Sequence, residues 1–363
     1  MDQTIKDTLR EELRALTALD GASGFEQAVV SYLRDVLTPL ADSLEVDAMG
    51  NLYALRRGRG AAPRLALMAH SDEIGALVKS IQPDGFLRIA RLGGMMPGLM
   101  VGRQVRVNGH FGVIGVRSGH LQLAGNESSI PTVADLYVDV GARSASEVAD
   151  MGIRVGDPLT YYSPLLTLSN PDLVTGKAID NRLGCVILWE LLKALQGVTP
   201  AGDVMVIVAV QEEVGSRGAR VAAQRARPDY ALVLDTFMAG DTPDVNYYTQ
   251  MAAGIGQGPV FLLASGDKTL GHLIHPALKR WMVNAAEREG LPYQLSTMVE
   301  ISFTDSSVVH LSREGIPTGG LGLSRRYSHS PVELADLNDA VVALRFLRAF
   351  VADMEQHRDL SFV

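Results

Sequence analysis

The 363-residue sequence has a single cysteine, Cys185, which excludes an intrachain disulfide and any thiolate-built zinc or iron–sulfur centre. Metal chemistry, if present, must rest on histidine and carboxylate. Aromatic residues are scarce at 6%, and no run of about 18 uncharged apolar residues is available to span a bilayer. Basic charge is not in excess either. Its 33 Lys and Arg face 41 Asp and Glu, a formal net charge of −8, which argues against a surface built to neutralise nucleic-acid phosphates. The first twenty residues are charged throughout, with Leu9, Leu13, Leu16 and Leu19 at helical spacing, and do not resemble a targeting segment. The expectation is a cytoplasmic protein with neither nucleic acid nor membrane as partner. The sequon Asn126-Glu127-Ser128 then lacks the secretory context that glycosylation needs.

What is present is the material of a large core. Hydrophobic residues make up 47% and charged residues 20%, a globular composition, and the length favours two domains over one. Apolar runs at 64–69, 204–210 and 230–234 read as buried strands, and they end at His70, at Gln211-Glu212-Glu213 and at Asp235. A less regular run at 173–179 ends at Asp180. Because these runs are continuous instead of alternating, they predict strands covered on both faces, and helical periodicity follows at 181–196 and 218–226. Ligands of open α/β sheets gather beyond the carboxyl ends of strands, so these polar residues are expected to converge there.

Between positions 76 and 166 the texture changes. Short alternating segments are separated by Gly and Asn, most clearly 103–107 and 110–116 about Asn108-Gly109, a strong hairpin signal. The predicted fold class is therefore α/β, a mixed β-sheet flanked by helices, with an inserted small all-β domain. The α/β domain would be discontinuous, built from 1–75 and 167–363, and the insertion would span 76–166. The glycine-rich stretch 254–258 lacks the strand-to-helix context of a phosphate-binding loop and reads as a flexible loop. Ser306, Ser307 and His310 lack a nucleophile elbow, which argues against a serine hydrolase.

Singly, each strand-end residue has a structural reading. Glu212-Glu213 could form a solvated acidic turn, Asp180 could cap a helix, and Asp235 could serve a turn. Together with His329, in the polar loop 326–331, these residues make two His, two Asp and two Glu, a set with the chemistry of a two-metal hydrolase. In such sites an aspartate bridges two cations about 3.5–4 Å apart, and a bridging water deprotonates near neutral pH to a nearby glutamate. Histidine and carboxylate ligands suit Zn or Co, with Mn possible. Asp72, two residues after His70, is placed to orient its ring.

The segments 69–75 (AHSDEIG), 178–182 (AIDNR), 211–219 (QEEVGSRGA), Asp235 with 239–243 (AGDTP), Thr304-Asp305 and 326–333 (RYSHSPVE) resemble the tetrahedral aminopeptidases, the glutamyl or deblocking aminopeptidase family. Some members of that family carry the label cellulase or endoglucanase. The resemblance covers nearly the whole chain. It implies that His70 and Asp235 bind one metal, that Glu213 and His329 bind the other, and that Asp180 bridges them. Glu212 would be the general acid/base, Asp72 would orient His70, and Asp305, Arg326 and His120 would belong to the substrate pocket. It further implies an inserted dimerisation domain, dimers that assemble into a tetrahedral dodecamer, and removal of the N-terminal residue from short peptides. The sequence departs from the family's pattern at 315–326, before its last histidine, and at 116–120, where a proline pair is missing. Two other readings stand beside this one. One is a glycoside hydrolase, since paired carboxylates also serve that chemistry. The other is a non-catalytic assembly protein stabilised by metal.

Overall fold

A computed structural model describes residues 2–115, 117–121, 131–267, 269–357 and 359–362; Asn126, Glu127 and Ser128 lie outside the described residues. The strands in chain order are β1 Ser43–Val46, β2 Leu52–Arg56, β3 Leu65–His70, β4 Gly75–Ile81, β5 Leu87–Leu92, β6 Gln104–Val107, β7 His110–Gly115, β8 Tyr137–Asp139 and β9 Pro158–Tyr161. After these come β10 Leu166–Thr167, β11 Leu173–Gly176, β12 Val204–Ala209, β13 Tyr230–Met238, β14 Val260–Gly266, β15 Gly271–Leu273, β16 Gln294–Met298, β17 Thr318–Arg326 and β18 Glu333–Asp336.

The main sheet runs β1-β2-β12-β3-β13-β17-β18-β11-β10, with β14 attached to β17 and carrying β15 and β16. At its centre β12, β3, β13 and β17 are parallel, while β2, β18 and β11 run antiparallel to their neighbours. The continuous apolar runs make physical sense here. Leu65, Leu67 and Ala69 of β3 enter the large core with Val186, Leu191 and Phe346, from helices Ile179–Ala194 and Leu337–Ala352. Ala66 and Met68, pointing the other way, pack with Ala219, Ala222 and Ala223 of helix Arg217–Ala226. Both strand faces are dry, so period-2 alternation of polarity disappears. Each fully buried Leu or Val contributes about 1.5–3 kcal/mol relative to exposure.

The residues between β3 and β10 form a closed six-strand antiparallel barrel, ordered β4-β5-β8-β7-β6-β9. Its strands do alternate. Val105, Val107 and Ile114 fill the barrel core while Gln104, Phe111 and Val113 are exposed. The β6–β7 hairpin turns at Asn108 (φ 46°) and Gly109 (φ 80°), with Val107 opposite His110. Positive φ at both turn residues matches the right-handed strand twist, as the Asn-Gly pair predicts.

Three expectations need correction. β13 does not stop at Asp235 but continues to Met238, because pairing with β17 persists to Met238 opposite Arg325. β11 stops at Gly176, three residues short of the predicted end, and Ala178 adopts a left-handed conformation (φ 55°) before the next helix. The 254–258 stretch is tied down: the Gly256 and Gly258 amides each donate to Asp339 at 2.7 Å, and Gly254 donates to Gln294 at 2.9 Å. No helix among the described residues is long and apolar enough to cross a membrane.

Candidate active site

The central strands deliver their ends to one cleft of about 520 Å³. His70 is the last residue of β3 and Asp235 lies within β13. Glu212 and Glu213 follow β12, where Gln211 (φ 58°) breaks the strand and lets adjacent carboxylates serve one site. Asp180 opens helix Ile179–Ala194 with non-helical angles and a cis peptide to Asn181, and its side chain caps nothing. His329 (φ 56°) lies in the loop between β17 and β18.

Asp180 is central. Its Oδ1 lies 3.2 Å from His70 Nε2, and its Oδ2 lies 3.6 Å from His329 Nε2. Asp235 Oδ1 is 3.4 Å from His70 Nε2, and Glu213 Oε2 is 3.4 Å from His329 Nε2. Two three-residue groups of potential metal ligands result, His70-Asp180-Asp235 and Asp180-Glu213-His329, which share Asp180.

Supporting carboxylates hold these groups in place. Asp72 Oδ1 accepts the Glu212 amide at 2.9 Å, and its Oδ2 accepts the Glu213 amide at 3.1 Å and the Ser23 hydroxyl at 2.6 Å. Glu26 accepts the Gln211 amide at 3.0 Å, so three successive amides are anchored by side chains from two distant segments. Asp72 also approaches His70 Nδ1, at 3.4 Å, a looser contact than its hydrogen bonds to the 212–213 backbone. Glu333 accepts the Asp180 and His329 amides, each at 3.0 Å.

The electrostatics are those of a site short of positive charge. Burial pushes the Glu212 carboxyl well above its ordinary range; His70 opposes this, and the charges of Asp235, Asp305 and Glu213 add to it. Glu213 is raised to about 8 by burial, against His329, with Asp180 adding to the rise. Burial also works against ionised Asp180, but Arg325, His329 and His70 hold it well below the carboxylate range. Burial depresses His329, yet Glu213 and Asp180 lift it to about 9. Asp180 Oδ1 and His70 Nδ1 are buried without hydrogen-bond partners. Four buried carboxylates with two imidazoles are a costly arrangement that divalent cations would compensate, so the donor set fits the implied metals.

The tentative pocket residues are placed differently. Asp305 is 1% exposed behind the cleft-lining Thr304, with both carboxylate oxygens unpartnered and burial raising it to about 7. Arg326 turns away into a bidentate pair with Asp241, both contacts at 2.9 Å. His120 is exposed in the short turn Gly119–Leu121 and is not among the residues that line the cleft.

A family model described as M42 glutamyl aminopeptidase matches residues 50–346. The chain belongs to the M42 peptidase family. Like its relatives, it is a metallo-aminopeptidase by class, a hydrolase of peptide bonds. An aminopeptidase from the archaeon Desulfurococcus kamchatkensis superposes with TM-score 0.91 at 33% identity, covering 97% of this chain and 96% of that one. The Pyrococcus horikoshii TET1 peptidase, described as assembling into a tetrahedron or a large octahedral shell, gives TM-score 0.82 at 30% identity over 94% of this chain and 99% of that one. A lysyl aminopeptidase of Pyrococcus furiosus is 29% identical over 95% of this chain and 97% of its own length.

Within this M42 site, sequence reasoning missed three contributors. Arg325 donates to Asp180 and to Thr236 Oγ1 at 2.6 Å, and forms an ion pair with Glu333 at 2.9 Å. Glu333 was noticed only as the end of a motif, although an acid beginning a strand whose residues are all buried is itself a signal. Gly93-Gly94, from the barrel, closes over the cleft so tightly that a Cβ on Gly94 would lie 2.1 Å from His329 Nδ1. Two consecutive glycines after β5 are the only local hint.

Proposed function

We propose that this M42 protein is a di-metal aminopeptidase that releases the N-terminal residue from short peptides. One observation carries the reading: Asp180 presents one oxygen to each of two separate His–carboxylate groups, as a bridging ligand must. His70 and Asp235 would hold one cation, and Glu213 and His329 the other. Zn or Co best suits this donor set, with Mn next. When bound, such cations act as Lewis acids on the scissile carbonyl and acidify water.

Glu212 is then the proton carrier. Burial and its acidic neighbours raise its proton affinity. It takes a proton from the attacking water as the oxygen–carbon bond forms, and gives it to the leaving nitrogen as the carbon–nitrogen bond breaks. Asp72 supports this by fixing the 212–213 backbone, and secondarily by facing His70. The barrel presents Phe111 and Val113, 60% and 46% exposed, in keeping with a dimerisation surface. By likeness to the TET1 peptidase, dimers would build a tetrahedral dodecamer. A cytoplasmic location is part of the same proposal.

The glycosidase alternative gives the two imidazoles no role, and a purely structural metal site needs no Glu212. A panel of aminoacyl chromogenic substrates with added Co or Zn, run beside a cellulose-type substrate, tests the choice. Release of the N-terminal residue is expected, and turnover of the cellulosic substrate alone would overturn the proposal.

A further inference from the structure

Beyond its metal cluster, the cleft has a definite chemical character. Its other walls come from Val214, Met238, Met298, Ile301 and Phe303, interspersed with Ser302 and Thr304. Every charged residue that lines it, namely His70, Asp180, Glu212, Glu213, Asp235, Arg325 and His329, belongs to the cluster itself. Arg325, the single guanidinium among them, is buried and committed to Asp180, Glu333 and Thr236. Arg326 is committed to Asp241.

An aminopeptidase must seat the substrate's terminal amino group beside this cluster. The first side chain, attached to the same carbon, must then lie on the remaining walls. An acidic side chain would need an uncommitted cation there, and a lysine would need an uncommitted carboxylate. Among the described lining residues there is neither. Removing a charge from water against Met and Ile without a partner is strongly unfavourable, whereas an apolar side chain gains from the same burial.

We infer that the cleft selects peptides whose first residue is neutral and apolar, of the leucine or methionine class. This separates the chain from the glutamyl description of its family model and from the lysyl name of its Pyrococcus furiosus relative. The inference rests on the aminopeptidase reading and adds the substrate class to it.

The test uses the metal-loaded full chain with Leu, Met, Glu and Lys 4-nitroanilides. Leucine or methionine is expected to lead glutamate and lysine in kcat/KM by about 10²-fold or more, since one methylene alone discriminates 10–200-fold. A lead for Glu or Lys overturns this inference and leaves the aminopeptidase reading standing. Release of no N-terminal residue from any substrate defeats that reading, and this inference with it. A second variant probes the wall directly. Ile301 is 49% exposed at the cleft mouth, so Ile301→Arg is expected to fold and to raise the Glu-to-Leu ratio by about tenfold or more. An unchanged ratio would overturn the assignment of that wall. As a binding readout, free leucine is expected to inhibit competitively at lower concentration than free glutamate, and the reverse order counts against the inference.

Discussion

Of two concavities at opposite ends of the central strands, the larger is not the one with the chemistry. Past the amino end of β12 lies a groove of about 710 Å³ that includes Arg59, Arg345 and Arg348; past the carboxyl ends of the central strands lies the cleft of about 520 Å³. In the groove, Arg59 pairs with Glu355 and Arg345 with Asp2, all well exposed, so solvent screens them and little is at stake. In the cleft, Asp180 and His70 are buried with orphaned atoms, and Glu212 and Glu213 are forced toward their neutral forms. What separates the two is uncompensated burial. A surface can host charge anywhere, whereas burying like charges together is costly unless a bound cation compensates them.

That contrast can be broken by experiment. Asp180→Ala removes the residue shared by both groups and, on the proposed reading, is expected to abolish binding of both metals, with activity lost. Retention of two metals per chain by elemental analysis would refute the bridging role. Glu212→Gln keeps the shape and the ligands, so metal content should stay near normal while kcat falls by roughly 10²–10⁴-fold. Full activity in that variant would remove Glu212 from the reaction. Gly94→Ala forces His329 aside and is expected to weaken one of the two metals by about 10–100-fold, as loss of a supporting contact does. Metal titration reads this, and unchanged affinity would mean the barrel loop merely covers the cleft.

A buried histidine outside both concavities serves as a control. His272 is 2% exposed, donates from Nε2 to the Thr318 carbonyl at 2.9 Å, and faces the His310 ring at 5.3 Å. Burial first, and His310 in addition, lower it to about 4 from 6.5. A folded state that resists protonation is favoured above the unfolded value and loses stability as pH falls from 6.5 toward 4, here by roughly 3 kcal/mol. His272→Gln should flatten that part of the acid loss in melting temperature between pH 7 and 4.5; an equally steep loss would show that other groups carry it. The smallest effect belongs to the groove. Arg345→Ala is expected to change stability by no more than about 0.5 kcal/mol and kcat/KM by less than about twofold. A large loss of activity there would erase the distinction between the two concavities.

Much of the fold was legible because its core strands are dry on both faces. The runs that end at His70 and before Gln211 were read to within a residue, since burial on two sides leaves continuous apolar sequence. The barrel was visible for the opposite reason: one wet face gives the alternation of Gln104-Val105-Arg106-Val107, and Asn108-Gly109 marks the turn. The end of β13 was misread because its last residues are held by pairing with β17, a contact with no local signal. Arg325, Glu333 and Gly94 escaped for a similar reason. Each acts on a residue far away in sequence, or with a role that appears only once Asp180 and His329 are side by side.

Residue order alone singled out the candidate ligands, most of them just after apolar runs. Strand periodicity, the lone cysteine and the clustering of acids after apolar runs are all local properties of the chain. Tertiary structure decided which oxygen of Asp180 meets which imidazole, that Asp72 holds the 212–213 backbone at 2.9 and 3.1 Å, and that Arg325 is spent inside the cluster. It also decided that the remaining cleft walls are apolar. Those contacts join residues up to 149 positions apart, as between Asp180 and His329, and only packing in three dimensions sets them.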